Sequence, residues 1–206
     1  MDTIRSVVRS VVRMLAQFLN RLSGGHLTPA MVTYTSLFAH IPIAWLIATY
    51  HNLWAAGLLV IFGLFDVLDG ELARLQGTAS QAGMLLDSVT DRVKEVVLYI
   101  GIGYAIVHGQ RPNMAVWAVA AVGASLLVSY VNAWGEAVTA GQTKSHQINK
   151  AFRTGLMGFE LRMAVLVIGL LSNRIILASI VVAILAAVTA AQRFFKISQS
   201  LDHAQS

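Results

Sequence analysis

Four aspartates stand at fixed intervals in an otherwise apolar stretch, Asp66 and Asp69 three apart, then Asp87 and Asp91 four apart. Carboxylates are costly in hydrocarbon surroundings, so acids grouped in this way mark a working site. On a helix each residue advances by about 100°, which puts Asp66, Asp69, Gly70, Ala73 and Arg74 within one broad face. Gly83, Asp87 and Asp91, spaced by four, stack along a single stripe. Two such helices facing each other would converge four carboxylates on one spot, and like charges that close require cations between them. Oxygen donors without His or Cys suit the hard divalent ions Mg²⁺, Mn²⁺ or Ca²⁺, and of these Mg²⁺ is the usual partner of phosphate chemistry. The expectation is one or two divalent ions, with two preferred and Mn²⁺ as the alternative to Mg²⁺.

The neighbours of the acids fit the same chemistry. Glycine inside a helix is disfavoured by roughly 1 kcal/mol. Gly70 and Gly83 therefore open room, either for a ligand or for a close helix contact, and beside the acids ligand access is preferred. Arg74 is the natural diphosphate partner, because a guanidinium forks onto phosphate oxygens and keeps its charge. The plainer reading of Arg74 is a helix-end arginine snorkelling to the membrane surface.

Taken together, residues 66–91, DVLDGELARLQGTASQAGMLLDSVTD, resemble the signature of the CDP-alcohol phosphotransferase family of integral membrane phospholipid synthases. That signature reads D-x-x-D-G-x-x-A-R, a spacer, then G-x-x-x-D-x-x-x-D, and all its specified positions are filled. Weaker echoes lie in Pro29 to Thr33 and in the Ser-Tyr segment at Ser129. The resemblance implies that an alcohol acceptor attacks the phosphorus of a CDP-linked donor, here CDP-diacylglycerol, and that CMP leaves. It implies metal ligation by Asp66, Asp69 and Asp87, with Asp91 as ligand to a second metal or as general base. Gly70, Ala73, Arg74 and Gly83 would line the CDP site. It also implies a homodimer, for which the small apolar faces Ala118 to Ala124 and Ala178 to Ala190 are candidates.

The acceptor is less legible. The segment Leu86 to Arg92, LDSVTDR, is closer to inositol-type members than to the phosphatidylglycerophosphate type, so inositol or inositol phosphate is expected, with glycerol-3-phosphate or serine as alternatives. Members that use inositol phosphate carry basic residues after the Ser-Tyr and before the fifth span. This chain departs from that pattern, with Asn132 and Trp134 in SYVNAWGE and GLMGFELR later on. Lys144, Lys150, Arg153 and Arg162 remain as basic candidates, although loop lysines also serve as topology charge. Glu136, Glu160 and Arg162 interrupt apolar helices, and a buried pairing network would explain them equally well.

These residues need elements to hold them, and the composition says which kind. The chain is 56% apolar and only 12% charged, with a mean hydropathy of +0.67. A soluble domain carries roughly 25% charged residues, so this is an all-α integral membrane protein. A span needs roughly 20 apolar residues, and six stretches qualify, at 31–50, 53–75, 84–107, 115–136, 156–172 and 174–192. Turns are expected at His51 and Asn52, at Gln110 to Asn113 with Pro112, and at Ser172 to Arg174, with a longer connection from Ala137 to Gly155. The six helices form one catalytic bundle over 23–192, preceded by residues 1–22 and followed by a cytosolic tail, 193–206. Residues 1–22 carry Val7, Val11, Leu15, Phe18 and Leu22 on one side and arginines on others, the pattern of an amphipathic helix on the membrane surface. Arg5, Arg9, Arg13 and Arg21 are spread along it, unlike a cleavable signal peptide.

With the N-terminus in the cytosol, all of the fifteen basic residues except Arg111 and Arg174 fall on the cytosolic side or at cytosolic helix ends. The aspartates then face the cytosol. Without cysteine there is no disulfide or thiolate chemistry. A pI of about 9.9 is explained by topology, so nucleic-acid binding is not expected. A cation transporter would spread polar groups through the bilayer depth, whereas six of the ten acids lie between residues 66 and 95. His40, with Pro42 two residues on, reads as a polar group facing the bundle near a helix kink, and Tyr50, Trp54, Tyr104, Trp117 and Trp134 read as an interfacial belt.

Overall fold

The structure, a computed structural model, describes residues 2–109, 111–139 and 157–205. Among these it is entirely helical: α1 (Asp2–Leu22), α2 (Pro29–Ala48), α3 (Asn52–Gln76), α4 (Gln81–His108), a 3-10 turn (Pro112–Ala115), α5 (Val116–Thr139), α6 (Phe159–Leu171) and α7 (Ile175–Gln205). Local sequence accounts for the boundaries. Thr28 caps α2 by accepting the Met31 amide on its hydroxyl, and Pro29 stands at the first turn, where its missing N–H costs nothing. Gly77 closes α3 in the left-handed conformation, φ 67°, which glycine adopts without strain. The expected turns fall at Tyr50 and His51, at Pro112, and at Ser172 to Arg174. The last helix continues through the expected tail to Gln205.

Among the described residues four segments are long and apolar enough to cross a membrane: Pro29–Ala48, Asn52–Gln76, Pro112–Val138 and Ile175–Gln199. The other two expected spans fall short of that test for visible reasons. The first turns of α4 carry Asp87, Asp91, Arg92, Lys94 and Glu95, and α6 is only 13 residues long. The connection from residue 140 to 156, with Lys144, Lys150 and Arg153, lies outside the described residues.

Contacts between Cα atoms divide the chain into two compact units, Met1–Gly101 and Ile102–Ser206. In the first, α2 and α1 both pack on α3. Val12 and Ala16 of α1 are buried against Val32, Leu68 and Leu72, while Val11, Leu15, Phe18 and Leu22 stay exposed on the other side. The Gln76 amide donates both to Asn20 Oδ1 and to the Leu27 carbonyl, at 2.8 Å each, tying the end of α3 to the α1–α2 connection. His40 is buried, and its Nδ1 lies 2.7 Å from the Ser36 carbonyl, which can only accept, so that nitrogen carries the proton.

In the second unit α5 and α6 pack on α7. Ala118, Ala121, Ala178, Ala186 and Ala190 are buried within the chain, with Ala186 and Ala190 packed against Val128 and Ala124. These alanines pack inside the protomer, where small side chains let helix backbones approach closely, while Ala120, Gly123 and Ala187 of the same stretches stay exposed. Four of the five belt aromatics, Tyr50, Trp54, Tyr104 and Trp134, are exposed, and Trp117 is half-buried.

Close packing also sets the testable limit on α4. A methyl group added at Gly101 would overlap the Ala44 backbone carbonyl of α2, whereas one added at Gly57 meets nothing within 4 Å. Gly101→Ala is expected to destabilise by about 1–3 kcal/mol through overpacking. Gly57→Ala should leave stability unchanged or raise it by up to about 1 kcal/mol. Thermal unfolding in detergent distinguishes the two, and equal midpoints would contradict the packing.

Candidate active site

The site is built from one antiparallel register. Thr33 and Ser36 are one helical turn apart on α2, and Asp69 and Asp66 are one turn apart in the opposite direction on α3. The Thr33 hydroxyl donates to Asp69 Oδ2 at 2.6 Å, and the Ser36 hydroxyl donates to Asp66 Oδ1 at 3.2 Å. Each acid therefore has its own hydroxyl from α2, and a slip of the register would strand both carboxylates. Asp69 is buried, so that bond is shielded from water and correspondingly strong.

A cavity of about 310 Å³ lies beside this ladder. Asp69, Gly70, Ala73 and Arg74 of α3 line it with Gly83 and Asp87 of α4, and Thr33 lies on the same wall. Six of the eight residues singled out from the sequence thus share one cavity. The glycine question resolves at Gly70, where an added Cβ would meet nothing within 4 Å. Its lack of a side chain keeps space open and does not serve a helix contact. Gly83 is tighter, its amide bonded to Ser80 Oγ at 3.1 Å.

The four acids are close enough to act on one another electrostatically, but their partners differ. Asp69 and Asp87 face the cavity, whereas Asp66 and Asp91 hold Lys94. The Lys94 ammonium donates to Asp66 Oδ1 and, at 3.3 Å, to Asp91 Oδ1, and its side chain is only 1% exposed. Among the described residues no three His, Cys, Asp or Glu side chains already form a metal shell. Lys94 neutralises one pair of acids from within. For the other pair the donor chemistry fits a hard divalent ion. Both are carboxylates on a cavity wall, and Asp87 Oδ1 is buried with no hydrogen-bond partner among the described residues. Mg²⁺ and Mn²⁺ sites of this kind are completed by water and phosphate oxygens.

Arg74 is 63% exposed at its side chain and is held by Glu71 Oε1 at 2.7 Å, one turn back on α3. Glu71 is buried and also lies 3.9 Å from Arg13 of α1. A second cavity of about 320 Å³, lined by Arg13, Ala16, Gln17, Glu71, Arg74 and Leu75, places Arg74 on two cavity walls. The arginine is tethered, which a freely snorkelling side chain is not.

Sequence reasoning missed Lys94, Glu71, Ser36 and Glu95. Lys94 had a signal: it lies three residues past Asp91 and seven past Asp87, on the same stripe. Arg92 donates to buried Glu95 at 3.1 Å, continuing the charged turn. In the second unit, Arg162 is buried, donates to the Met157 carbonyl at 3.1 Å and has its guanidinium 5.9 Å from the centre of the Phe159 ring. Those contacts hold the guanidinium in place within the second unit. Asn132 donates to Glu136 at 3.2 Å and receives Arg193 at 3.4 Å, so an arginine from α7 stands where the sequence placed no basic residue. Ser129 bonds only within its own helix, to the Ser125 carbonyl, among its described contacts.

Comparison with known proteins follows the same residues. The family model described as CDP-alcohol phosphatidyltransferase matches residues 26–192. The chain is 34% identical to the phosphatidylinositol phosphate synthase of Corynebacterium glutamicum over 65% of this chain and 61% of that protein. It is 30% identical to the synthase of the same name from Mycobacterium marinum, over 65% of this chain and 56% of that one. The matched region thus spans less than two thirds of these relatives. Among solved structures, the Mycobacterium tuberculosis phosphatidylinositol phosphate synthase with CDP-DAG bound has a TM-score of 0.78 at 23% identity, covering 91% of this chain and 94% of that one. The structure of that synthase with manganese and citrate also gives 0.78, at 22% identity, covering 90% and 88%. At such identities the likeness shows a shared fold.

Because an added side chain at Gly70 meets only open space, Gly70→Leu should fold with an unchanged melting temperature in detergent. It should weaken CDP binding by roughly tenfold or more by filling the cavity. A loss of stability with binding intact would mean that the glycine serves packing.

Proposed function

The chain belongs to the CDP-alcohol phosphatidyltransferase family, and from that premise we propose that it transfers the phosphatidyl group of CDP-diacylglycerol to a hydroxyl of inositol phosphate, releasing CMP. The observation that carries this reading is the single cavity shared by Asp69, Gly70, Ala73, Arg74, Gly83 and Asp87. The donor is supported by the fold shared with a synthase whose structure holds CDP-DAG, and the acceptor by the name of the curated relatives. Lipid donors require a membrane enzyme, and the apolar helices make the chain one.

The roles follow from the geometry. Gly70, Ala73 and Gly83 present a wall without large side chains to the nucleotide. Arg74 grips the diphosphate, and Glu71 holds the guanidinium so that less rotamer freedom is lost on binding. Asp66, Asp69, Asp87 and Asp91 form the acid set, with Mg²⁺ or Mn²⁺ held on its cavity side. A bound divalent ion supplies polarisation of the diphosphate and stabilises the charge of departing CMP. As the acceptor oxygen bonds to the lipid-linked phosphorus, the bond from that phosphorus to the CMP oxygen breaks. Asp91 takes the hydroxyl proton. Lys94 orients Asp91 for that task.

The membrane arrangement is part of the same proposal. Six helices span the bilayer as the catalytic region 23–192, with N-terminus and acid set toward the cytosol, where CDP-linked donors are made and CMP is recycled. Residues 1–22 lie in the interface, with exposed Val11, Leu15, Phe18 and Leu22 in the lipid and Val12 and Ala16 on α3. Residues 193–206 extend into the cytosol. Any homodimer uses faces other than the buried alanines.

The test is CMP release by purified protein in detergent, given CDP-diacylglycerol, Mg²⁺ and one acceptor at a time from inositol phosphate, inositol, glycerol-3-phosphate and serine. Metal-dependent release with inositol phosphate alone is expected. Release with a different acceptor would replace that part of the proposal. No release with any acceptor, together with no metal-dependent CDP binding, would remove the enzymatic reading. Asp91→Asn should lower turnover by roughly 100-fold or more, the usual contribution of a general base, while donor binding survives. Turnover near the wild-type rate would take Asp91 out of the reaction.

A further inference from the structure

The second cavity, between α1 and α3, shares only Arg74 with the cavity that the aspartates line. Its volume is about 320 Å³. Small-molecule sites run from roughly 300 to 1,000 Å³, so this one suits a compact headgroup and not a whole lipid. Its polar lining is Arg13 and Gln17, one helical turn apart on α1, together with Glu71 and Arg74 of α3. Two guanidiniums against one carboxylate leave a net positive charge, which calls for an anion.

Glu71 braces this site without cancelling it. Its side chain is buried, with Oε1 accepting from Arg74 at 2.7 Å and Oε2 standing 3.9 Å from Arg13 Nε. One buried carboxylate thus holds two arginines beside one cavity, while their side chains stay 70% and 63% exposed. A guanidinium has five N–H donors. Among the described residues the Arg74 guanidinium spends one on Glu71, and that of Arg13 makes no hydrogen bond. The donors left over match phosphate oxygens, which arginine takes in a fork.

The helix that supplies Arg13 points to where the phosphate comes from. Val11, Met14, Leu15 and Phe18 are exposed on the same turns of α1 as Arg13 and Gln17. Apolar side chains displayed beside cationic ones mark a helix lying in the bilayer interface, the depth at which lipid phosphates stand, and basic pockets there take anionic headgroups. We propose that the cavity between α1 and α3 binds the phosphate group of an anionic phospholipid, forked by Arg13 and Arg74 and hydrogen-bonded by Gln17, at a site separate from the donor cavity. Inorganic phosphate offers the same chemistry without the lipid and is the competing source.

The experiment titrates the full chain in nonionic detergent with dioctanoyl phosphatidylglycerol and, separately, with inorganic phosphate, read by calorimetry. Wild type should bind the lipid, and inorganic phosphate more weakly. Arg13→Gln should weaken lipid binding by roughly tenfold or more, the usual worth of a hydrogen bond to a charged group. Gln17→Glu, which adds a like charge to the cavity, should weaken it as well and leave Mg²⁺-dependent CDP binding unchanged. Arg21→Gln removes an exposed α1 arginine that is absent from the cavity and should leave lipid affinity as it was. All three positions are exposed, so the variants should melt with the wild type. Lipid affinity untouched by Arg13→Gln would overturn the site, as would an equal loss in Arg21→Gln, which would mean general attraction to a basic helix. Loss of CDP binding in Gln17→Glu would overturn the separation of the two cavities. Inorganic phosphate bound as tightly as the lipid would overturn the assignment to a lipid headgroup.

Discussion

Compensation of four carboxylates set in apolar helices is the constraint on which the first unit depends. A carboxylate removed from water must find a hydrogen bond or an opposite charge, and the structure provides a different answer for each one. Asp69 has the Thr33 hydroxyl, Asp66 has Ser36 and Lys94, Asp91 has Lys94, and Asp87 is left with a bare oxygen on the cavity wall. These bonds do more than pay a desolvation penalty. They lock α2 to α3 in one antiparallel register and α4 to α3 at one depth, because a shift of a single residue would turn every partner away.

The same constraint separates the site into a fixed part and an open part. Lys94, Ser36 and Glu95 are wholly or nearly wholly buried or paired and form a rigid backing. In front of it the cavity offers Asp69, Asp87 and the tethered Arg74, with glycine at position 70 keeping the space clear. Binding energy is best used when the protein groups are already in place, and Glu71 does that for Arg74 as Thr33 does for Asp69. α4 cannot be as apolar as its neighbours for this reason. Its first turns belong to the site, and only its later turns, with buried Leu98, Ile102 and Ala105, are apolar.

The second unit answers a different demand. With lipid outside there is little hydrophobic gain in bringing helices together, so close approach through small residues carries the packing. The alanines of α5 and α7 are buried for that purpose, and Gly169 approaches Ala178 so closely that a side chain would collide. Arg162 and Arg193, buried among these helices, keep polar partners in Met157 and Asn132.

Much of this was legible in the sequence. The spacing of Asp66, Asp69, Gly70, Ala73, Arg74, Gly83, Asp87 and Asp91 was enough for the family, and hydropathy was enough for an all-helical membrane chain, because both signals are local and periodic. Pro112 announced its turn for the same reason. What only the tertiary structure decided is which partner each acid has. Lys94 lies three residues from Asp91 in sequence, yet its bond to Asp66 crosses between helices, and the bonds from Thr33 and Ser36 bridge more than thirty and exactly thirty residues respectively. A helical pattern determines the face on which a residue sits. Which face of another helix meets it, and at what depth, depends on packing across the whole unit, and that is where four equivalent aspartates became two that line a cavity and two that hold a lysine.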